Sequence, residues 1–201
     1  GIILLKNEDG LLPLDEGDQK INVFSFASYN LRYGGGGSGG ADQSQAESLY
    51  EALDERGIAY NPNLYAAMEE AGAKTEADSS SGAMQVVSMF VGGDPEGEPA
   101  PDYLTDEVMA DATEFSGVAM VVVGNDGVEA RDFEREQLQL GENERALLDR
   151  VTADFDDVIV IVNSGNQMEL GFLDEYPQIK SAIWIGTPGP MGAVSLAKVL
   201  S

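Results

Sequence analysis

The stretch VAMVVVGNDGVEARDFE, Val118–Glu134, decides how the fold is read. Six of the seven residues from Val118 to Gly124 are apolar. The run is too short for a membrane span and too rich in β-branched side chains for a comfortable helix, so it is predicted as a fully buried parallel strand. Gly124 ends it. In an open α/β sheet, ligands bind in the crevice beyond the carboxyl ends of the strands. Asn125, Asp126, Glu129, Arg131 and Asp132 therefore fall where polar groups could do chemistry, although a loop is also polar simply because it faces water.

Strands and helices alternate along the rest of the chain. Ile21–Phe26 (INVFSF) reads as a strand that runs into RYGGGGSGGADQSQ, and Ser44–Arg56 places Ala46, Leu49, Tyr50 and Leu53 at helical spacing before a stop at Gly57. Ile58–Tyr60 is a short strand, and a helix starting at Pro62 runs to about Ala71. From Gly72 to Tyr103 periodicity is weak, so this part is an excursion with one short strand at Gln85–Val91. Thr105 caps a helix to about Thr113, with Asp106 and Glu107 in its first turn, where the helix dipole favours acids. Glu142–Ala153 is a helix facing the sheet through Ala146, Leu147 and Val151. Asp157–Asn163 (DVIVIVN) is a second buried strand, Met168–Leu173 a short helix, Ser181–Gly186 a further strand, and Pro188–Leu200 a closing helix. The expected fold class is α/β: a mostly parallel, doubly wound sheet with helices on both faces, formed by residues 1–201 as one domain.

Composition limits the chemistry. The 201 residues suffice for one sizeable core, with 43% hydrophobic residues, 24 Gly and 8 Pro. There is no cysteine and no histidine, which removes disulfides, thiolate and imidazole metal sites, and Ser/His or Cys/His catalysis. No metal or other cofactor is expected. Thirty-six acidic against 11 basic residues give a formal charge of −25, so nucleic acid and anionic membranes are not expected partners. The opening GIILLKNEDGLLPL has no start methionine, basic n-region or small-residue cleavage site, so it is not read as a signal peptide and a cytoplasmic location is favoured. Because Ile2–Leu5 already look like structure and the chain ends abruptly at Ser201, an excised domain is expected.

The loop Gly34–Gly40 (GGGGSGG) lies between a strand and a helix, where nucleotide-binding folds place phosphate-cradling glycines. No Lys-Ser or Lys-Thr follows it, and Glu55, the acid nearest the spacing for a ribose contact, lies inside a helix. The alternatives are a surface linker or, directly after Tyr33, a glycine run that lets the backbone approach a ligand closely.

Taken together, IILLKNEDGLLPL, YGGGGSGG, VVVGNDGVEARD, ERALLDRVTADFDDVIVIVNSGNQMELGFL and SAIWIGTPGPMGAVSLAKVL resemble, in order and spacing, the α/β sandwich domain of glycoside hydrolase family 3. The resemblance covers almost the whole chain. Two departures are visible: relatives often show GEG before an acid where this chain has Val128-Glu129-Ala130, and the PG loop reads Pro188-Gly189-Pro190-Met191 where Gln or Glu often follows.

The resemblance implies a domain of a retaining, exo-acting, beta-glucosidase-like glycoside hydrolase. In that family the aspartate nucleophile belongs to a separate (β/α)₈ barrel of the same protein, so this chain alone is half an active site and is expected to be inactive. It also implies Glu129 as the catalytic acid/base, with Tyr33, Gly36, Gly37, Ser38 and Asp132 contacting a carbohydrate substrate. Retaining hydrolysis needs two carboxyl groups roughly 5 to 5.5 Å apart and no histidine, cysteine or metal, which agrees with the composition. The alternative is a non-catalytic carbohydrate-binding or assembly domain with the same fold. For an active domain, the loops at Tyr33–Gly40, Asn125–Asp132, Ser164–Asn166 and Thr187–Gly189 should converge on one edge of the sheet.

Overall fold

A computed structural model of the chain describes residues 1–15, 19–35, 42, 44–79 (side chains to 72), 98–125 and 134–201. The strands are β1 (Ile3–Asn7), β2 (Lys20–Phe24), β3 (Ala59–Tyr60), β4 (Val118–Val123), β5 (Asp157–Val162) and β6 (Ile179–Trp184). Among the described residues they form a six-stranded sheet in the order β1-β6-β5-β4-β2-β3. All neighbours run parallel except β1, which pairs antiparallel to β6. The sheet is mixed, with helices on both sides.

The apolar runs lie in the middle of the sheet. Val121 pairs with Val160 and Val122 with Ile161, and all four are fully buried. A strand covered on both faces has no polar side on which to alternate, so VAMVVV and DVIVIV are nearly uniform. The edge behaves differently: Ile3, Leu4 and Leu5 of β1 are exposed.

The helices are α1 (Leu49–Glu55), α2 (Pro62–Ser79), α3 (Asp106–Phe115), α4 (Glu142–Thr152), α5 (Phe172–Glu175) and α6 (Gly192–Leu200). α1 packs on α6, and α2 on α3. α1 begins later than residue 44 because Ser48 caps it: the Ser48 hydroxyl accepts from Glu51 N, while the Glu51 carboxylate accepts from Ser48 N. This reciprocal pair satisfies donors that a helix start leaves open. Thr105 caps α3 as expected, accepting from Val108 N. On α4 the buried residues are Leu147, Leu148, Val151 and Thr152, with Ala146 only half-buried.

Several boundaries differ from the sequence expectation. β2 stops at Phe24 because Ser25 has φ 87°, a left-handed conformation that strand pairing does not accept. α2 continues to Ser79, well past Ala71. The helix expected at Met168–Leu173 is instead α5, starting at Phe172. Residues 168–170 are irregular because Glu169 N is drawn to Leu138 O at 2.7 Å. The strand expected at Gln85–Val91 lies outside the described residues.

A cluster absent from the sequence reading fills the β2–β3 side. Tyr29, Tyr50, Tyr60 and Tyr65 interlock, with ring centroids 4.6 Å apart for Tyr50–Tyr65 and 4.8 Å for Tyr29–Tyr65. The buried Tyr50 hydroxyl is satisfied by Ser28 Oγ at 2.8 Å. Scattered tyrosines carry no periodic signal, and only the packing of α1 and α2 brings them together.

Candidate functional site

The carboxyl ends of β2, β4, β5 and β6 open onto one rim, and the described parts of the four loops meet there. Gly189 N donates to Tyr33 O at 2.8 Å, joining the loop after β6 to the loop after β2. Ser164 Oγ donates to Asn125 Oδ1 at 2.7 Å, joining the loops after β5 and β4.

Asn163, the residue after β5, holds the centre of this rim. Its side chain is fully buried. Oδ1 accepts from Arg32 N at 2.6 Å, and Nδ2 donates to Arg32 O at 3.1 Å and Gly186 O at 2.7 Å. One amide therefore reads three backbone groups from two loops. Both amide protons and the carbonyl oxygen are engaged, as burial of an amide requires.

Two backbone features bring the chain close at this level. A Cβ at Gly124 would lie 2.0 Å from Asn163 O, so only glycine allows β4 and β5 to approach there. Ser25 keeps its strained φ because its buried side chain is engaged: Val122 N donates to Ser25 Oγ at 3.2 Å. Backbone outliers of this kind cost about 1–3 kcal/mol and persist where surrounding contacts over-determine them.

A carboxyl group beneath the rim shapes its electrostatics. Glu98 Oε2 accepts from Phe26 N at 2.8 Å, and the Tyr103 hydroxyl donates to Oε1 at 3.4 Å. Burial pushes the Glu98 pKa up to about 8, with the Glu144 charge adding to the effect and the Phe26 and Ala27 amides and the Tyr103 hydroxyl opposing it. Burial, then the Glu98 charge, pushes the Tyr103 phenol well above its usual range. Glu144 reaches the end of β4, where its Oε1 accepts from Gly124 N at 3.2 Å.

Of the residues singled out from the sequence, Tyr33 is described. Its ring is buried, its hydroxyl donates to Glu47 O at 2.5 Å, and burial, then the charges of Glu51 and Glu47, raise its pKa. It anchors the rim and is no proton donor near neutrality. Gly36, Gly37, Ser38, Glu129 and Asp132 lie outside the described residues. Sequence reasoning missed Asn163 and Glu98. Asn163 did leave a signal, an amide closing an otherwise apolar run, whereas Glu98 sits among Pro and Gly with nothing to mark it.

These features define an α/β sandwich domain that gathers polar loops at the carboxyl edge of its sheet. Comparison with known proteins then specifies it. Residues 2–201 match the family described as glycosyl hydrolase family 3 C-terminal domain, and the chain belongs to that family.

Among curated relatives, a beta-glucosidase from Ruminococcus albus is 29% identical over 205 residues, covering 100% of this chain and 20% of that protein. An exo-alpha-(1->6)-L-arabinopyranosidase from Bifidobacterium longum is 28% identical over 173 residues, covering 82% of this chain and 19% of its own length. The chain thus spans about a fifth of these relatives. Among solved structures, a beta-glucosidase from Paenibacillus barengoltzii superposes with a TM-score of 0.82 at 26% identity, over 99% of this chain and 21% of that one. Beta-glucosidase 3B from Thermotoga neapolitana shares the fold, with a TM-score of 0.82 at 22% identity, over 99% of this chain and 27% of its own.

Proposed function

We propose that this chain supplies the acid/base carboxyl, Glu129, and part of the sugar-binding rim of a retaining, exo-acting, beta-glucosidase-like hydrolase. A (β/α)₈ barrel elsewhere in the same longer polypeptide carries the nucleophile. The observation that carries this reading is the junction of four loops at one rim through Asn163, Ser164 and the Gly189–Tyr33 bond. In the sequence, Glu129 and Asp132 follow closely on Asn125, and Gly36, Gly37 and Ser38 on Tyr33.

In this reaction Glu129 first protonates the leaving oxygen while the barrel carboxylate attacks the anomeric carbon, and then removes a proton from the water that hydrolyses the glycosyl-enzyme. To be protonated near neutrality, Glu129 needs its pKa raised by burial or by the nucleophile's charge, and both require the barrel to face the rim.

The test is Glu129→Ala in the full-length protein. Alkyl glycosides, with poor leaving groups, should lose most activity, whereas an activated aryl glycoside should still form the glycosyl-enzyme and then stall. Added azide should relieve the stall and yield glycosyl azide of retained configuration. Equal slowing of aryl and alkyl substrates with no azide effect would assign the role elsewhere, with Asp132 and Glu134 next to be tested. The 201-residue chain alone should hydrolyse neither substrate.

A further inference from the structure

The described residues carry five exposed large apolar side chains, and four of them belong to one corner: Ile3, Leu4 and Leu5 on β1, and Met191 between β6 and α6. β1 runs antiparallel to β6, and Ile3 pairs with Trp184, the last residue of β6. The start of β1 therefore lies at the carboxyl end of β6, from which the loop to Met191 departs. That loop is part of the rim through the bond from Gly189 N to Tyr33 O. Ile3, Leu4 and Met191 are 56%, 53% and 60% exposed, so each leaves more than half of its surface in water.

Charge follows the same boundary. Gly1–Asn7 and Tyr176–Ser201 hold no aspartate or glutamate, where the mean density of 36 acids in 201 residues would place about six. β1, β6, the loop after β6 and α6 all fall within these two stretches. Glu8 and Asp9, which follow β1, lie at its far end and pair with Lys6 and Lys180. An apolar corner without carboxylates, on a chain this acidic, has the composition of a contact surface, where charge is depleted and exposed apolar side chains are contiguous.

We propose that the start of β1, together with Met191, is where the barrel domain of the same polypeptide packs beside the rim, its apolar side chains holding the two halves of the active site together. This rests on the functional reading above, in which a barrel faces the rim. The corner is continuous with the rim, so a body that covers one reaches the other. This chain spans about a fifth of the relatives it matches, which leaves the greater part of such a polypeptide to supply the covering surface. A second copy of this chain fits poorly. The register of β1 shifts between Leu4 and Lys6, and a bulge of this kind keeps a sheet edge from pairing with another edge. Two copies would also each bring a formal charge of −25. Successive side chains of β1 point to opposite faces, so the edge presents apolar groups on both sides to a partner surface.

The test uses the full-length protein. In hydroxyl-radical footprinting, Met191 should be as unreactive as the buried Met109 and Met120, and Leu4 and Leu5 should be protected with it. Leu4→Glu would be almost silent at a site open to water, whereas beneath a barrel it places an unpaired charge in an apolar contact. It should make Met191 reactive and lower kcat/KM about 10- to 100-fold as the two halves part, while amide exchange in β4 and β5 stays unchanged. Leu4→Met, apolar and of similar volume, should recover most of that loss. Replacing Leu4 with photoreactive benzoylphenylalanine should cross-link it to the barrel of the same molecule, with a yield independent of protein concentration.

Cross-links to a second copy that disappear on dilution, or to a segment outside the barrel, would overturn the proposal and leave Glu129 in its role. A reactive Met191 together with wild-type kcat/KM in Leu4→Glu would overturn it as well. Cross-linking to the barrel in an enzyme whose Glu129→Ala variant keeps full turnover of alkyl glycosides would uphold the contact and overturn the acid/base reading instead.

Discussion

Two asparagines, Asn22 and Asn163, are fully buried beside the same sheet and do opposite work. Asn22 is the middle residue of β2. Its Nδ2 donates to Ala112 O, Ser116 O and Val118 O, and its Oδ1 accepts from Asn61 Nδ2 at 3.3 Å. Ala112 and Ser116 belong to the end of α3, where Ala112 O also accepts from Ser116 N at 3.2 Å and Ser116 O lies past the last bonded turn. Asn61 in turn starts α2, its Oδ1 accepting from Asn63 N and Leu64 N. Asn22 therefore joins the end of one helix to the beginning of another. Asn163 touches no helix end: it binds the backbones of two loops at the carboxyl rim. The same chemical group closes the fold at one end of the sheet and builds the candidate site at the other.

Removing each amide should show the difference. Asn22→Ala and Asn163→Ala each leave several buried backbone groups unpaired, and each should cost about 3 kcal/mol in urea unfolding at pH 7. Local exchange should separate them: Asn163→Ala should expose Arg32 to exchange, and Asn22→Ala should expose Leu64 and the start of α2. If both variants loosen the same amides, the two ends of the sheet are one cooperative unit and the contrast fails.

Gly124→Ala tests the close approach at the rim. With a methyl group 2.0 Å from Asn163 O, overpacking should destabilise the protein by about 2–3 kcal/mol. A melting midpoint equal to wild type would mean that β4 and β5 separate there without cost.

Glu98 should make stability at the rim depend on pH. Its folded pKa of about 8 lies above the ordinary carboxyl value, so the folded state holds a proton that the unfolded state releases. The resulting stabilisation is complete below about pH 4 and is lost as pH rises through 8. Glu98→Gln should remove this slope and raise the melting temperature relative to wild type at pH 8–9. Parallel stability curves for the two proteins between pH 5 and 9 would refute the assignment.

The smallest effect concerns α3, away from the rim. Thr105→Ala removes the cap on Val108 N and should cost about 1 kcal/mol with no change in exchange at Arg32 or Gln137. A change at those positions would show that the rim responds to any loss of stability.

The central strands could be read from the sequence because a strand buried on both faces must be apolar almost without interruption, and VAMVVV and DVIVIV satisfy no other environment as well. The caps at Ser48 and Thr105 are equally local, since each is a bond between residues three apart. The sequence marks Thr105 as a cap in its place, whereas Ser48 reads as interior to a helix because Ala46 continues the apolar spacing. Glycine and proline likewise marked where the loops of the carboxyl edge lie, and the ordered motifs pointed to the family that the match over residues 2–201 establishes.

What joins those loops was decided only by tertiary structure. The bond from Asn163 to Arg32 spans 131 positions and that from Asn22 to Ala112 spans 90, and no local pattern encodes a partner at such separation. The raised pKa of Glu98 depends on burial first and then on the charge of Glu144, from a separate segment of the chain. The strand and helix periods record which side of an element faces the core. They carry no record of which loop a buried amide will meet, because that contact exists only after the sheet has assembled.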